Sequence, residues 1–176
     1  MSKYSSIFSP PLESFKDNDI KREIFNFLEK RNDPSYPKNL VIEHHTRIGV
    51  RTLCFCLIRY FNFSFNRFNS GSDSFSRIYF AREHYNNDAH INVFHSQAIG
   101  LYKPKLLENI LNRKDFLIKP LYEKYRIIKI SNQINIFLCD FRPFLYKLKD
   151  EKVIQFVNEK CKFIKIDRKI GKLYIE

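Results

Sequence analysis

Apolar and polar residues alternate on both sides of a short polar segment near the middle of the chain. Residues 78–85 and 90–95 both alternate, and Asn86-Asn87-Asp88 separates them. Alternation with a period of two is typical of a half-buried strand. Short polar residues that tolerate positive φ suit a tight turn between antiparallel strands. The pattern therefore predicts a central β-hairpin, with Glu83 and His84 on one strand and His90 and His95 on the other.

Further strands follow from the same reasoning. Apolar runs and alternating segments bounded by turn residues predict a short strand, a long buried strand and two more hairpins. These are residues 40–42, residues 50–60 framed by Arg51 and Arg59, a hairpin over 126–140 turning at Asn132, and a tail hairpin over 163–175.

Three segments have the spacing of an amphipathic helix. The first begins at Asp17 or Asn18 and ends before Asp33-Pro34, the second begins at Pro104 and ends near Asp115, and the third covers residues 150–160. Each has apolar residues three and four positions apart and a capping residue or proline at its start.

The predicted architecture is a single α+β domain, with a mostly antiparallel sheet of hairpins and about three helices. Residues 1–16, which contain Ser-Pro-Pro, are predicted to form an extended N-terminal arm. Residues 17–176 are predicted to form the domain, because this length and an apolar content of 44% suffice for one core.

The charge indicates the kind of partner. The chain has 31 Lys and Arg against 19 Asp and Glu, a formal net charge of +12, and a pI of about 9.6. Such an excess attracts polyanions, of which nucleic acid is the commonest and an anionic membrane surface the next. A basic protein without a polyanionic partner would have the same composition.

Residue usage gives information on the base composition of the genome rather than on the physical requirements of the fold. The chain has 18 Phe, 10 Tyr, 4 Gly and no Trp, and Ile, Asn and Lys recur throughout, as expected of a very AT-rich genome. That bias points to an organelle, an endosymbiont or a parasitic element. No signal peptide, import sequence or apolar run of about twenty residues is visible. The expectation is a soluble protein of a mitochondrion or plastid, made within that organelle.

The basic residues are spread along the chain, as a protein lying against folded RNA requires. The main hypothesis is a non-catalytic component of an organellar ribosome, with rRNA and neighbouring proteins as partners and no cofactor. An accessory subunit of another organellar complex is an alternative. The predicted RNA contacts are Arg51, Arg59, Lys103, Lys105, Arg113, Lys114, Lys119, Lys124, Arg126, Lys165, Arg168, Lys169 and Lys172.

Phe61, Phe63 and Phe65 alternate with polar residues. On a strand they would share one face, as a stacking platform for unpaired bases or as part of the core. In a sequence this rich in Phe, the core is the preferred interpretation.

The four cysteines are too few and too scattered to form a disulfide framework. Cys54 and Cys56, with His44-His45 nearby, allow a zinc site to be drawn. Zinc loops place two to four residues between paired cysteines, and this pair has one. Small buried hydrophobic side chains are the preferred interpretation, and no metal is predicted.

Glu83 and His90-Ile91-Asn92 on the central hairpin, followed by Tyr122-Glu-Lys-Tyr125, faintly resemble rolling-circle replication and transposition nucleases of the His-hydrophobic-His type. The resemblance implies a hairpin that binds a divalent metal and a tyrosine that attacks a DNA phosphodiester. Glu83 and His90 would be ligands, and Tyr122 or Tyr125 the nucleophile. The sequence departs from the family at Asn92, which stands in place of the second histidine and is a poorer metal ligand. This alternative function is metal-dependent nicking of single-stranded DNA.

Overall fold

The computed structural model describes residues 10–45, 48–70, 78–80, 85–96, 104–118, 126–140, 145, 148–167 and 172–174. Within these residues lie four α-helices and eight strands. The helices are α1 (Asp19–Glu29), α2 (Val50–Tyr60), α3 (Pro104–Leu111) and α4 (Glu151–Lys160). The strands are β1 (Asn39–His44), β2 (Phe65–Ser70), β3 (Ile78–Phe80), β4 (Ile91–Ser96), β5 (Phe116–Ile118), β6 (Arg126–Ile128), β7 (Ile134–Asp140) and β8 (Cys161–Lys165).

Six strands form one sheet in the order β3-β2-β4-β7-β1-β8, and β5 pairs with β6 separately. Five of the six strands are parallel, and β3 alone runs antiparallel at the edge. The predicted α+β fold with a mostly antiparallel sheet and three helices is therefore wrong. The arrangement is α/β, with four helices around a parallel sheet.

The predicted central hairpin is not formed, because β3 pairs with β2 and β4 pairs in parallel with both β2 and β7. The polar segment does turn, since the Asp88 N–H donates to Asn86 Oδ1 at 2.9 Å. The turn leads into a central strand, and Ile91, Val93 and Phe94 are buried on its two faces. Burial on both faces is typical of a parallel strand between covering helices.

The other two predicted hairpins also have different partners. β6 pairs with β5, while β7 lies between β4 and β1. β8 extends the sheet in parallel beside β1. In the tail that follows, Tyr174 forms a single antiparallel bridge with Phe15.

Residues 50–60, predicted as a strand, form helix α2. Five of its buried residues are spaced three and four positions apart, so they lie on one face of the helix. They are Val50, Leu53, Cys54, Leu57 and Ile58. Gly49 precedes the helix with a φ of 90°, a conformation that residues with a Cβ rarely adopt. A Cβ there would also lie 2.6 Å from Cε2 of Tyr174.

The three predicted helices are confirmed as α1, α3 and α4. Asn18 caps α1 by accepting a hydrogen bond from the Lys21 N–H at 2.9 Å. Asp150 caps α4 by accepting from the Lys152 N–H, also at 2.9 Å. In both cases the side chain accepts a hydrogen bond from an N–H group of the first helical turn, which has no partner within the helix.

Helices cover both faces of the sheet. α1 and α2 pack on one face, over the side chains of Leu40, Ile42, Ile91, Val93 and Ile136. α3 and α4 pack on the other face, over Val41, Phe68, Phe94 and Phe137. The rings of Phe68, Phe94 and Phe137 stack across neighbouring strands at centroid distances of 4.4 and 4.7 Å.

The N-terminal segment is described from residue 10 onward. Phe15 is buried and its ring lies 4.7 Å from that of Tyr174. The Lys16 N–H donates to the Leu173 carbonyl at 2.8 Å. Residues 10–16 are therefore attached to the domain through the tail. Among the described helices, none has the length and apolar character needed to cross a bilayer.

A row of four buried asparagines crosses the sheet. Asn66, Asn92, Asn135 and Asn39 occupy matched register positions on β2, β4, β7 and β1. Asn66 Nδ2 donates to Asn92 Oδ1 at 3.1 Å, and Asn92 Nδ2 donates to Asn135 Oδ1 at 3.1 Å. Asn135 Nδ2 then donates to Asn39 Oδ1 at 2.8 Å. We call this row the asparagine ladder.

Both ends of the asparagine ladder bind backbone groups. Asn39 Nδ2 donates to the carbonyls of Leu111 and Lys160, the last residues of α3 and α4, at 2.9 and 3.0 Å. Helix C-termini leave such carbonyls without intrahelical partners. At the other end, Asn66 accepts from the Asn86 N–H and donates to the Asn86 carbonyl, both at 2.9 Å.

Asn135→Ala should lower the free energy of unfolding by about 2–4 kcal/mol, because it leaves buried groups of Asn39, Asn92 and α3 without partners. Denaturant unfolding monitored by far-UV circular dichroism measures the loss. Asn158→Ala, at an exposed position of α4, is the matched control and should change stability by less than about 0.5 kcal/mol. Equal effects of the two substitutions would contradict a structural role for the ladder.

Candidate nucleic-acid interface

Aromatic rings gather at the amino edge of the sheet, by which we mean the edge where the five parallel strands begin. Phe63 lies just before β2 and stacks on Phe61, with a centroid distance of 5.3 Å and an interplanar angle of 13°. The imidazole of His90, just before β4, stacks on Phe63 at 5.2 Å. Tyr60 meets Phe61 edge to face at 5.4 Å, and it is 63% exposed.

Cations lie beside these rings. The Arg31 guanidinium carbon is 4.4 Å from the centroid of Phe63, close enough for a cation–π interaction. Lys38, which precedes β1, donates from Nζ to the Arg31 carbonyl at 2.8 Å and also hydrogen-bonds the Asp33 carbonyl. The two cationic residues are therefore held next to each other.

Arg113 extends this positive region to the face covered by α3. Burial, and then the nearby charge of Arg113, lower the pKa of Lys38, while Asp33 opposes the shift. The Asp33 carboxylate accepts hydrogen bonds from the backbone and hydroxyl of Ser35, which lower its own pKa. Asp33 is thus only a partial counter-ion for Lys38.

The backbone conformation of Arg113 is unusual for an arginine. Its φ is 54°, at the end of α3 where a left-handed residue closes the helix and glycine is preferred. The Lys114 N–H donates to the Asn109 carbonyl at 2.8 Å, and the Arg113 N–H to the Ile110 carbonyl at 3.0 Å. A charged side chain thus occupies a position where glycine would be less strained.

The amino-edge strip is the name we use for Arg31, Lys38, Tyr60, Phe61, Phe63 and Arg113. It combines like charges with the exposed ring of Tyr60 and the half-buried rings of Phe61 and Phe63, which also pack against the core, the interpretation preferred from the sequence. Proteins bind unpaired nucleotides with aromatic rings that stack on the bases and with cations that contact the phosphates. The sequence-based list included Arg113 but missed Arg31 and Lys38. They become neighbours only because parallel strands begin at a common edge.

The predicted RNA-binding residues do not form one group. Arg59, Arg113 and Lys114 lie toward the amino edge, while Arg51, Lys105, Lys165 and Lys172 lie toward the opposite, carboxyl edge. Lys105 pairs with Glu108 at 3.2 Å and Lys165 with Glu43 at 4.0 Å. Arg126 belongs to β6. The others, Lys103, Lys119, Lys124, Arg168 and Lys169, lie outside the described residues.

The nuclease constellation receives little support from the positions of its members. Glu83, Tyr122 and Tyr125 lie outside the described residues. The Ser64 N–H donates to His90 Nδ1 at 3.1 Å, and the Ser64 hydroxyl is 2.8 Å from the same nitrogen. Asn92 is fully buried in the asparagine ladder. The hairpin that this resemblance requires is not formed.

The zinc site drawn from sequence is not assembled among the described residues. Cys54 and Cys56 are both buried on α2. Burial raises the pKa of the Cys54 thiol to about 12, with a smaller contribution from Cys56. No group of three candidate metal ligands occurs in the part of the chain that the structure describes.

His95 lies near the carboxyl edge of β4, at the opposite end of the strand from His90. Its ring stacks on Phe55 at 5.7 Å. Burial, followed by the charges of Arg51, Arg67 and His44, lowers its pKa from 6.5 to about 3. The imidazole is therefore neutral throughout the physiological range.

No protein-family model matches this chain, and no curated protein matches its sequence. The assignment of function therefore depends on the geometry of the two edges and on the charge of the chain.

The depressed pKa of His95 makes the fold acid-sensitive. The unfolded chain, with a histidine pKa near 6.5, binds the proton more readily than the folded chain, whose His95 titrates near 3. The contribution to stability is complete above pH 6.5 and falls, by on the order of a few kcal/mol, as the pH drops toward 3. His95→Phe keeps the ring on Phe55 and removes the titration. Urea unfolding at pH 7 and pH 4.5 should show a smaller acid loss in this variant, and equal losses would contradict the assignment.

Proposed function

We propose that this protein binds RNA through the amino-edge strip and has a structural, non-catalytic role. The observation that supports the proposal best is the contact between Arg31 and Phe63, with Lys38 and Arg113 placed beside it. Like charges brought together at a surface repel one another, and an external polyanion relieves that repulsion. Phosphate groups supply that charge, and the exposed ring of Tyr60 offers a surface for a base.

RNA fits this surface better than duplex DNA does. Tyr60, Phe61 and Phe63 lie between the C-terminal end of α2 and the start of β2, so within the described residues the strip has no single projecting helix to enter a major groove. Unpaired bases in loops and bulges are the usual targets of aromatic and arginine stacking in RNA recognition. The formal net charge of +12 adds a sequence-independent attraction to the phosphate backbone.

A ribonucleoprotein of an AT-rich organelle, most naturally its ribosome, is the setting we propose. The residue usage supports that setting, and the distribution of cations over both edges suits a protein surrounded by folded RNA. An accessory subunit of another organellar complex would use the same cations on an acidic protein surface. Gradient sedimentation distinguishes these settings: the proposal expects co-sedimentation with ribosomal particles and release by high salt.

Arg113→Gly should change stability and RNA affinity in opposite directions. Glycine relieves the left-handed strain, so the free energy of unfolding should rise by about 0.5–1 kcal/mol. The same change removes one phosphate contact, so the slope of log affinity against log salt concentration should shrink by about 0.7–0.9. Fluorescence anisotropy with a labelled single-stranded RNA, at several salt concentrations, measures both affinity and slope.

Lys152→Ala is the matched control, because it removes a positive charge from an exposed position of α4 at the far end of the sheet. It should leave the affinity nearly unchanged. Tyr60→Leu should weaken RNA binding with little change in the salt slope, because it removes an exposed stacking ring and no phosphate contact. If Lys152→Ala and Arg113→Gly weakened binding equally, the attraction would be that of net charge alone and the strip would not be the interface.

A further inference from the structure

The carboxyl edge of the sheet contains a second cluster of basic groups. His44 ends β1, His95 lies near the end of β4, and Arg67 lies on β2. Arg51 is in the first turn of α2. Arg51, Arg67 and His44 are each close enough to His95 to lower its pKa, and Arg51 contributes to lowering that of Arg67, after burial. The side chains of Arg51, Arg67 and His44 therefore lie near that of His95.

This region lies where ligands bind in open α/β sheets. β1 and β7 are neighbours in the sheet. The chain leaves β1 for α2 on one face and leaves β7 for α4 on the other face. Two adjacent strands whose connections leave to opposite faces create a crevice at their carboxyl ends. His44 is at that end of β1.

Two buried polar atoms at this edge have no hydrogen-bond partner among the described residues. They are Nε of Arg67 and Nδ1 of His45. Buried polar atoms are almost always hydrogen-bonded in folded proteins. A guanidinium N–H in particular requires an acceptor. A ligand that supplies oxygen acceptors would satisfy it.

The start of α2 points to the same kind of ligand. Gly49 is the N-cap and provides no side-chain acceptor for the N–H groups of the first turn. Those groups, together with the positive end of the helix dipole, favour an anion. Arg51 belongs to this turn, so the helix start and the basic cluster meet.

We propose that the carboxyl edge binds the phosphate group of a small phosphomonoester, with Arg51 and Arg67 as its principal ligands. A doubly charged oxyanion offers several acceptors to two guanidinium groups. Arg67 and His95 are half-buried, whereas Arg51 is exposed. A terminal phosphate can reach the half-buried guanidinium of Arg67, whereas an internal phosphodiester of RNA follows the exposed surface. The site lies at the opposite end of the strands from the amino-edge strip, so its occupancy does not depend on the RNA-binding proposal.

Asp140 provides a competing explanation, in which a carboxylate of the protein rather than a ligand neutralises the arginines. It ends β7 as the register partner of His44. If its carboxylate already neutralised the two arginines, the wild-type protein would bind no phosphate, and Asp140→Asn would create binding. That result would overturn the proposal.

The test is calorimetric titration of the full chain with inorganic phosphate and with phenyl phosphate, against sodium chloride at equal ionic strength. We expect saturable binding of both phosphates, weakened about tenfold or more by Arg51→Gln and by Arg67→Gln. Arg51 is exposed, so its variant should fold even if Arg67→Gln does not. Arg59→Gln, at the opposite end of the same helix, is the matched control and should bind as the wild type does.

Three further outcomes overturn the proposal. The first is the absence of saturable phosphate binding by the wild-type protein, and the second is equal weakening of phosphate binding by Arg51→Gln and Arg59→Gln. The third is that Arg51→Gln weakens binding of an RNA without terminal phosphates while neither phosphate probe binds, which would assign this edge to RNA. Loss of RNA binding by Arg113→Gly with phosphate binding intact would leave both proposals standing, because their residues do not overlap.

Discussion

Four buried amides determine how the strands of this protein meet. A parallel sheet covered by helices has little besides side-chain shape to fix its register, since its residues are apolar on both faces. The asparagine ladder adds a polar requirement for four of the six strands, because a shift of β2, β4, β7 or β1 would leave buried amides without partners. Through Asn39 it also fixes where α3 and α4 end. The positions of both edges of the sheet follow from that alignment.

The two edges differ in their chemistry. At the amino edge, the exposed ring of Tyr60 lies beside the half-buried pair of Phe63 and Arg31. At the carboxyl edge, basic groups lie around the half-buried His95, beside the start of α2. Parallel strands separate these two groups of residues by the length of the sheet, about 17–20 Å for strands of five or six residues. Histidines of one strand segment, His90 and His95, therefore belong to different environments.

Sequence patterns identified the local elements better than their partners. The helices α1, α3 and α4 have caps and apolar stripes that can be recognised without tertiary information. In α2 the helical spacing of Val50, Leu53 and Leu57 was present, but a nearly continuous apolar run hid it. The strand pairing was mistaken because a tight turn suggests a local hairpin, whereas parallel pairing depends on crossovers that no turn signal records. Asn92 was interpreted as a weak metal ligand, since nothing local distinguishes it from an exposed asparagine. Of the amino-edge strip, Arg113 and the phenylalanines were recognisable, and Arg31 and Lys38 were not.

The three amide–amide hydrogen bonds of the asparagine ladder are all donated in the same sense, from β2 toward β1. The last donor, on Asn39, meets the carbonyls of Leu111 and Lys160 at the negative ends of two helices. The row is therefore polarised, and each bond strengthens the next. No single amide can rotate alone, because its oxygen would then face a neighbour's oxygen. Reversing the whole row would direct an oxygen at the two helix carbonyls. The interior of this sheet thus has one permitted arrangement of its protons, which the helix ends select.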